Sequence, residues 1–467
     1  MNRIKTSIEH LDNILGGGFP EASVNIIAGA PGTGKTVLVE QIVSGLASPD
    51  RRVLFLSTVN EPIHKVLRYA QRFSFFDQEK VGKSLLYEDI GPLLVKAPVE
   101  EVLKVIAEMV LKEHPAVLVI DSFRALGELA RDPISFRREL YGLTGVLTST
   151  GCTTFLVGEY GAEEVLTTPE AAVADSILQL LNERRGIRQY RYLSVVKLRG
   201  SGFLEGHHAF RLTGDGVRLF PRFTTPPKPA AYATNEQRVP TGVEGLDDML
   251  GGGMLQGSST LVAGPAGSGK TSLGLAIAFA AVRRGEPATL VTFAEDPNQI
   301  VAVARKLGLD ARSAIDQGTL RHLYVSPSEL DIDEHILRIV DTIEQSGSGC
   351  VVLDSLSDLE SAAYDEARFR NYIFSLIQYM KDRGITAFMT YERGFDTHSS
   401  EPAGGISRFA DNVVRLKYAD ENGGFGHRLQ VLKTRGSTHS YDIRPFKITA
   451  RGVELAPPPH PRREDRG

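Results

Sequence analysis

The chain contains Gly29-Ala-Pro-Gly-Thr-Gly-Lys35-Thr36 near its start and Gly264-Pro-Ala-Gly-Ser-Gly-Lys270-Thr271 in its second half. Both match G-x-x-x-x-G-K-[ST], the P-loop that joins a strand to a helix and cradles phosphate groups. In each case a short apolar run precedes the loop and a helical pattern follows it. The sequence therefore predicts two nucleotide-binding sites in one chain.

The repetition extends well beyond the P-loops. The lead-in Thr6-Ser-Ile-Glu-His-Leu-Asp-Asn-Ile-Leu-Gly-Gly-Gly18 returns as Thr241-Gly-Val-Glu-Gly-Leu-Asp-Asp-Met-Leu-Gly-Gly-Gly253. Downstream, Lys197-Leu-Arg-Gly-Ser201 returns as Lys433-Thr-Arg-Gly-Ser437. A repeat spacing that hardly drifts over the length of a domain indicates tandem domains.

A proline-rich, aperiodic stretch over 221–235 separates the two copies and is typical of an extended linker. The end of the chain is again rich in proline and is predicted to be disordered. We predict an N-terminal P-loop domain over 1–220, a linker over 221–237, a C-terminal P-loop domain over 238–456 and a disordered tail over 457–467.

The composition and net charge of the chain argue against several classes of protein. The chain of 467 residues is 42% hydrophobic and 24% charged, as ordinary globular proteins are, and its net charge of −4 offers no overall attraction to nucleic acid or anionic membrane. Cys152 and Cys350 lie in or beside apolar runs and are expected to be buried, reduced thiols. No apolar signal core or membrane-length stretch occurs, so we expect a cytoplasmic protein.

Strand and helix patterns alternate within each copy. A β-branched run over 23–28 enters the first P-loop, a helix is predicted over 36–46, and the next strand over 52–57. This alternation predicts an α/β fold in which a mostly parallel, twisted sheet is covered by helices. Each domain should end in antiparallel strands around its Lys-x-Arg-Gly-Ser segment, with a turn at Gly214-Asp-Gly216.

The chemistry of a P-loop depends on its glycines, which let backbone N–H groups approach the phosphates. Its lysine reaches the β- and γ-phosphates, and the hydroxyl residue that follows binds Mg²⁺. The residues that we assign to nucleotide binding are Gly29, Gly32, Thr33, Gly34, Lys35, Thr36, Gly264, Gly267, Ser268, Gly269, Lys270 and Thr271.

Asp121 and Asp354 each close a run of apolar residues and precede a serine. An acid at the carboxyl end of a buried strand lies beside the P-loop in such a sheet, where it can hold magnesium. Helix capping is the alternative use of an Asp-Ser pair. We favour magnesium, with Thr36 and Thr271 completing the two metal sites.

Hydrolysis also needs a carboxylate that orients or deprotonates water. Glu61 and Glu295 follow the second strand of their copies and are the catalytic candidates. The alternative is that each complements the dipole of the helix that follows.

Together these residues resemble the KaiC family, the tandem RecA-type ATPases and autokinases of bacterial and archaeal clock and signalling systems. The resemblance rests on the glycine-rich lead-ins, both P-loops, both Asp-Ser strand ends and both Lys-x-Arg-Gly-Ser segments, and it covers nearly the whole chain. It implies two RecA-like domains, ATP and Mg²⁺ as cofactors, and assembly into a homo-hexameric ring.

In this family the lysine and arginine of the last segment reach the nucleotide of the neighbouring subunit. The resemblance therefore implies trans contacts to nucleotide for Lys197, Arg199, Lys433 and Arg435. Such cations would neutralise phosphoryl charge and complete the site only in a ring. A solvated strand face is the alternative.

The chain departs from the family at its carboxylates. The family usually has two adjacent glutamates after the second strand, the first being the usual catalytic base, whereas this chain has Asn60-Glu61 and Ala294-Glu295. Because the first carboxylate is missing in both copies, we expect slow hydrolysis.

A second departure concerns phosphorylation. The family's adjacent Ser and Thr acceptors correspond here to Ser407 and Arg408. The resemblance therefore implies Ser407 alone as the candidate phosphoacceptor of a serine autokinase.

These features predict a slow Mg-ATP-dependent ATPase that acts as a switch or timer on unidentified signalling proteins. One alternative is a non-catalytic scaffold that uses ATP to hold its ring together. A RecA-type DNA-handling ATPase is another, but it needs a basic surface that tracks the strand. The stretch 160–170 is acidic and 393–402 is close to neutral, so we expect neither nucleic acid nor membrane as a partner.

Overall fold

Each half of the chain folds around its own sheet. The computed structural model describes residues 2–58, 63–130, 132–161, 163–185, 188–225, 236–326, 331–363, 365–392, 405–421 and 424–458. The chain divides into two units, residues 1–222 and 223–467.

The strands of the first unit are β1 (Arg3–Ile4), β2 (Phe19–Pro20), β3 (Val24–Gly29), β4 (Val53–Ser57), β5 (Leu85–Asp89), β6 (Val117–Asp121), β7 (Thr153–Glu159), β8 (Ser176–Arg185), β9 (Arg188–Leu198), β10 (His208–Thr213) and β11 (Gly216–Phe220). Its α-helices are α1 (Leu11–Ile14), α2 (Lys35–Leu46), α3 (Ile63–Ala70), α4 (Gly91–Lys96), α5 (Val99–Glu113), α6 (Phe123–Leu129), α7 (Pro133–Ser149) and α8 (Pro169–Val173).

The strands of the second unit are β12 (Arg238–Val239), β13 (Met254–Leu255), β14 (Ser259–Gly264), β15 (Ala288–Thr292), β16 (Leu320–Tyr324), β17 (Cys350–Asp354), β18 (Thr386–Glu392), β19 (Asn412–Glu421), β20 (Gly424–Thr434), β21 (Ile443–Thr449) and β22 (Gly452–Leu455). Its α-helices are α9 (Leu246–Met249), α10 (Lys270–Arg283), α11 (Pro297–Lys306), α12 (Ala311–Asp316), α13 (Ile332–Ser346), α14 (Leu356–Ala362) and α15 (Glu366–Asp382).

Both sheets have the same topology. Over the described residues, nine strands of the first unit follow the order β5-β4-β6-β7-β3-β8-β9-β10-β11, and their counterparts follow β16-β15-β17-β18-β14-β19-β20-β21-β22. In each unit the strands from the first edge to β8 or β19 are parallel, and the remaining strands pair antiparallel. The predicted α/β fold, with two RecA-like domains ending in antiparallel strands, is confirmed.

Apolar cores lie on both faces of each sheet. In the first unit, Leu38 and Ile42 of α2 are buried in one core, and Ile106 of α5 and Leu140 of α7 are buried in the other. Strands covered on both faces are apolar at successive positions, and every residue of β3 is buried. Because helices cover the faces, the carboxyl edge of the parallel strands is left for a ligand.

The glycine triplets of the lead-ins have a steric role. Gly18 has a φ of +106° and Gly253 a φ of +104°, a backbone region that side chains rarely adopt. A Cβ on Gly18 would collide with the carbonyl oxygen of Ile4, and one on Gly253 with that of Val239. These close approaches fix the small β1–β2 and β12–β13 ribbons.

The turn between β10 and β11 falls at Gly214 and Asp215, as predicted. Cys152 and Cys350 are free and buried, and burial raises the pKa of each thiol to about 12. None of the helices described is both long and apolar enough to cross a membrane.

Phe223 and Thr225, which fall in the predicted linker, belong to the second unit and pack against its helix α15. The rings of Phe223 and Tyr379 lie 5.9 Å apart, and the hydroxyls of Thr225 and Ser375 are within 2.8 Å. Residues 226–235 lie outside the described part of the chain.

Candidate functional site

Each P-loop leaves the carboxyl end of a central parallel strand and turns into a helix. Gly34 precedes α2 with a φ of +102°, and Gly269 precedes α10 with a φ of +95°. A residue with a side chain would be strained there. The loops therefore present backbone N–H groups and a helix N-terminus at the edge of the sheet, an arrangement that binds phosphate.

Both P-loop lysines fold back over their loops. Lys35 is 8% exposed, and its Nζ donates to the carbonyl oxygens of Gly29 and Ala30 at 3.0 Å each. Burial lowers the pKa of Lys35, while the nearby carboxylates of Glu159 and Asp121 raise it. Lys270 repeats this arrangement, with its Nζ 3.1 Å from Gly264 O and 2.8 Å from Pro265 O.

The predicted metal residues come together in the first unit. The Thr36 hydroxyl donates to Asp121 Oδ2 over 2.7 Å. The following helix, α6, has Ser122 as its N-cap residue, without a side-chain capping bond. Asp121 thus faces the P-loop rather than the start of α6.

In the second unit Asp354 is 4% exposed, and burial raises the pKa of its carboxyl, an effect that the hydroxyls of Thr271 and Thr390 oppose. Its Oδ1 accepts a hydrogen bond from Thr390. Its Oδ2 is also buried, and the Thr271 hydroxyl acts on the same carboxyl, so the two residues can offer oxygens to one cation.

Hydroxyl and carboxylate oxygens suit magnesium, which is usually held by one or two carboxylates together with phosphate and water oxygens. Among the residues that the structure describes, no group of three or more His, Cys, Asp or Glu side chains could hold a metal ion alone. The Thr and Asp pairs therefore fit a magnesium ion that arrives with a nucleotide.

Of the two catalytic candidates, only Glu295 can be placed. Glu61 and Asn60 lie outside the described residues. Glu295 lines the second cleft together with Ala294, Asp354 and Asp358. Burial raises the pKa of Glu295, and the carboxylates of Asp354, Asp358 and Glu392 add to this.

Glu295 does not cap the helix that follows it. The N-cap of α11 is Asp296, whose Oδ1 accepts from the backbone N–H of Asn298 at 2.7 Å and of Gln299 at 3.0 Å. The Gln299 side chain accepts in return from Asp296 N–H, completing a capping box.

The cations of the Lys-x-Arg-Gly-Ser segments lie at the other end of the sheet. Lys197 pairs with Ile177 near the start of β8, and Lys433 pairs with Val413 near the start of β19. The P-loops begin at the opposite ends of the neighbouring strands: Gly29 at the end of β3 pairs with Leu180 of β8, and β14 continues past Arg415 of β19 before its loop begins. The structure therefore does not bring these cations to the P-loop of their own unit.

Carbonyl and carboxylate groups hold these cations at that edge. Lys197 Nζ lies 2.9 Å from Ala171 O, and Arg199 lies 3.6 Å from Asp175. Arg435 lies 3.9 Å from Asp411. The arginine side chains remain more than half exposed.

Ser407 lies at the same edge, in a short 3-10 turn over Ile406–Arg408. It is 9% exposed, and its carbonyl oxygen accepts from Lys433 Nζ at 3.0 Å. The Arg408 guanidinium lies over the ring of Phe409, 4.8 Å from its centroid.

The structure adds one pair of acids that sequence reasoning missed. Glu159 ends β7 and Glu392 ends β18, and their Cα partners in the sheet are Gly29 and Gly264, the first glycines of the P-loops. Both line the clefts. The sequence could have indicated them, because each glutamate ends a mostly apolar strand at the same position of the two repeats.

The two clefts are alike in size, and among the lining residues that the structure describes the second cleft has more acids. The first measures about 600 Å³ and the second about 580 Å³. Around the first, the described acidic residues are Asp121 and Glu159. The second is lined by four acidic residues, Glu295, Asp354, Asp358 and Glu392.

A buried acid distinguishes the helix behind the first P-loop. Glu40 of α2 is 2% exposed and accepts a hydrogen bond of 2.8 Å from the Tyr87 hydroxyl. Burial raises the pKa of Glu40 to about 8. The corresponding residue of α10, counted from the P-loop lysine, is the buried Leu275.

Known proteins share this arrangement of domains. The family model described as "ATPase: KaiC" matches residues 4–223 and again 239–460. The circadian clock oscillator protein KaiC of Picosynechococcus sp. is 29% identical, over 97% of this chain and 90% of that protein. KaiC of Rippkaea orientalis and KaiC 1 of Synechocystis sp. are each 28% identical, over 97% of this chain and 89% of the relative. With a family match in each unit and relatives aligned along nearly its whole length, the chain belongs to the KaiC family of ATPases.

Proposed function

We propose that this chain binds Mg-ATP at both P-loops, hydrolyses it slowly and acts as a nucleotide-driven switch or timer on signalling proteins of the cytoplasm. The observation that carries the proposal is repeated in both units. A glycine loop and its lysine lie at the carboxyl edge of a parallel sheet, beside a threonine and a strand-end aspartate.

In each site, the P-loop would bind the phosphates of ATP and the threonine–aspartate pair would bind magnesium. The lysine ammonium leaves its loop carbonyls for the β- and γ-phosphates, and the backbone N–H groups of the loop bind the phosphate oxygens. Thr36 with Asp121, and Thr271 with Asp354, would hold a magnesium ion, and such an ion would supply positive charge against the phosphate oxygens.

We further propose that the sites are completed in a homo-hexameric ring. Lys197, Arg199, Lys433 and Arg435 lie at the sheet edge opposite the P-loops of their own units, and in a ring they would face the nucleotide of the next copy. Cations supplied in this way stabilise the charge of the transition state.

Ser407 is the proposed phosphoacceptor of the second unit. Its bond to Lys433 puts it beside the cations that would face the neighbour's nucleotide. Attack by its hydroxyl oxygen on the γ-phosphorus would break the bond to the bridging oxygen and release ADP, with the hydroxyl proton passing to solvent.

One observation favours a non-catalytic scaffold as the second candidate. Ala294 lines the second cleft, where the family's usual base would be, and a methyl group cannot accept a proton. In that case ATP would stabilise the ring without being consumed.

Phosphate release decides between the two. We expect slow wild-type turnover of Mg-ATP that is abolished in Lys35→Ala/Lys270→Ala, because that variant lacks the lysines that bind the phosphates. Equal rates in the two proteins would refute the ATPase and leave the scaffold. Phosphopeptide mass spectrometry of the same incubations should find phosphate on Ser407, and its absence there would remove the autokinase.

A further inference from the structure

We infer that Glu392 and Glu159 are the catalytic carboxylates that orient and deprotonate the attacking water, in place of the glutamates missing at 294 and 60. This inference rests on the proposed hydrolysis of ATP. It assigns a role to strand-end residues that lie beside the P-loop strand itself.

The sheet register puts these acids next to the loops. Glu392 is the Cα partner of Gly264, and Glu159 is the Cα partner of Gly29. Glu295, by contrast, follows β15, which is separated from the P-loop strand by β17 and β18. Among the described acids that line the second cleft, Glu392 is therefore the one at the end of the strand next to the P-loop strand.

The contact with the lysine locates Glu392 relative to the reacting phosphate. Glu392 Oε2 lies 3.4 Å from Lys270 Nζ, and this lysine reaches the β- and γ-phosphates when nucleotide is bound. A carboxylate within contact distance of that ammonium can hold a water molecule against the γ-phosphorus. In the first unit, Glu159 and Lys35 line the same cleft, and the Glu159 carboxylate raises the pKa of Lys35 against the effect of burial.

Glu392 combines a fixed backbone with a movable side chain. Its N–H donates to the Ser357 hydroxyl oxygen at 2.6 Å, and that hydroxyl donates to Glu392 O at 3.3 Å. The side chain itself is 51% exposed. It can therefore turn from the lysine to a water once the phosphates occupy the lysine, while the strand keeps its Cα in place.

The chemical step is a balanced hydrolysis. The water oxygen bonds to the γ-phosphorus as the bond from that phosphorus to the β–γ bridging oxygen breaks, and ADP leaves with the electron pair. The carboxylate takes one proton from the water and later releases it to solvent. No oxidant or further reactant is needed.

A merely structural role is the competing explanation. If Glu392 and Glu159 only hold the lysines in position, removing their charge should weaken ATP binding, and hydrolysis should fall in proportion. If they activate water, hydrolysis should fall while binding is retained, since loss of a carboxylate near the phosphates also removes repulsion.

The test compares full-length Glu159→Gln/Glu392→Gln with wild type and with Glu366→Gln, an exposed acid of α15 paired with Arg370. Equilibrium dialysis measures Mg-ATP affinity, and single-turnover phosphate release measures the chemical step. We expect a loss of about 100-fold in the single-turnover rate with ATP affinity equal to or tighter than wild type. Glu159→Asp/Glu392→Asp, which keeps the carboxylates, should recover part of the rate.

An unchanged single-turnover rate, or a loss that only matches a loss of affinity, would overturn the inference while leaving the ATPase intact. If wild type itself releases phosphate no faster than Lys35→Ala/Lys270→Ala, the proposed function fails and the inference fails with it.

Discussion

Glu40 is a buried acid of the first unit, and the second unit has a leucine, Leu275, at the corresponding position. The Glu40 carboxyl is buried against Tyr87, with a pKa raised to about 8, whereas an unfolded glutamate titrates near 4.5. Between these values the unfolded chain has released a proton that the folded chain still holds. Stability therefore falls as pH rises through this window, by roughly 3–5 kcal/mol in all.

Glu40→Gln should remove this pH dependence, because the amide cannot ionise yet still accepts from the Tyr87 hydroxyl. Relative to wild type, we expect little change in Tm at pH 5 and a higher Tm at pH 8.5, measured by calorimetry on the full chain. Glu366→Gln, on an exposed surface, serves as the control. Parallel pH curves for Glu40→Gln and wild type would show that Glu40 ionises normally.

The sequence was informative about some site residues and not about others, for physical reasons. The P-loop lysines and threonines are close in sequence to the glycines that form their site, so a short motif predicts them. Glu159 meets Gly29 only through pairing of β7 with β3, and no local pattern reveals that neighbour. Likewise, the sequence could not tell that Lys197 lies at the far edge of its sheet, because this depends on the antiparallel turn of β9.

Among the helices and strands, the alternation of strand and helix patterns predicted the parallel sheet, the P-loop motif predicted the helix that follows it, and Gly214-Asp-Gly216 predicted the β10–β11 turn. The lead-ins are less obvious, since each contributes only a two-stranded ribbon held by a glycine triplet. The repeated glycines can be seen in the sequence, but the close approach of Gly18 to Ile4 O can be seen only in the structure.

Gly18→Ala should destabilise the first unit by at least about 1–2 kcal/mol, because a Cβ is strained at this positive φ and collides with Ile4 O. Gly142→Ala is the matched control: Gly142 lies within α7 with no atom within 4 Å of an added Cβ. It should stabilise by about 0.5–1 kcal/mol. Denaturant unfolding distinguishes the two, and equal effects would contradict the steric role of Gly18.

In the assembled protein, the P-loops and the proposed trans cations lie at opposite edges of each sheet. This placement predicts that two inactive variants can restore activity when their subunits are mixed. Lys35→Ala/Lys270→Ala lacks the P-loop lysines, and Arg199→Ala/Arg435→Ala lacks the exposed arginines of the other sheet edge. Each should be inactive alone. In a mixed ring, however, an intact P-loop of one copy can meet an intact arginine of the next.

With equal amounts and free exchange of subunits, about a quarter of the interfaces in such a head-to-tail ring would be intact. Phosphate release should recover to about that fraction of wild type, with assembly followed by mass photometry. No recovery despite demonstrated subunit exchange would mean that the arginines act within their own copy or not at all.

The contacts of Phe223 and Thr225 matter to anyone who wishes to divide the chain into separately expressed halves. The Phe223 ring lies against Tyr379, and the Thr225 hydroxyl meets that of Ser375. A C-terminal fragment beginning at 236 would leave this apolar surface of α15 bare and prone to self-association, whereas one beginning at 223 would keep it covered. The useful cutting point is therefore set by the contacts of Phe223 and Thr225 with α15 rather than by the proline-rich composition around them.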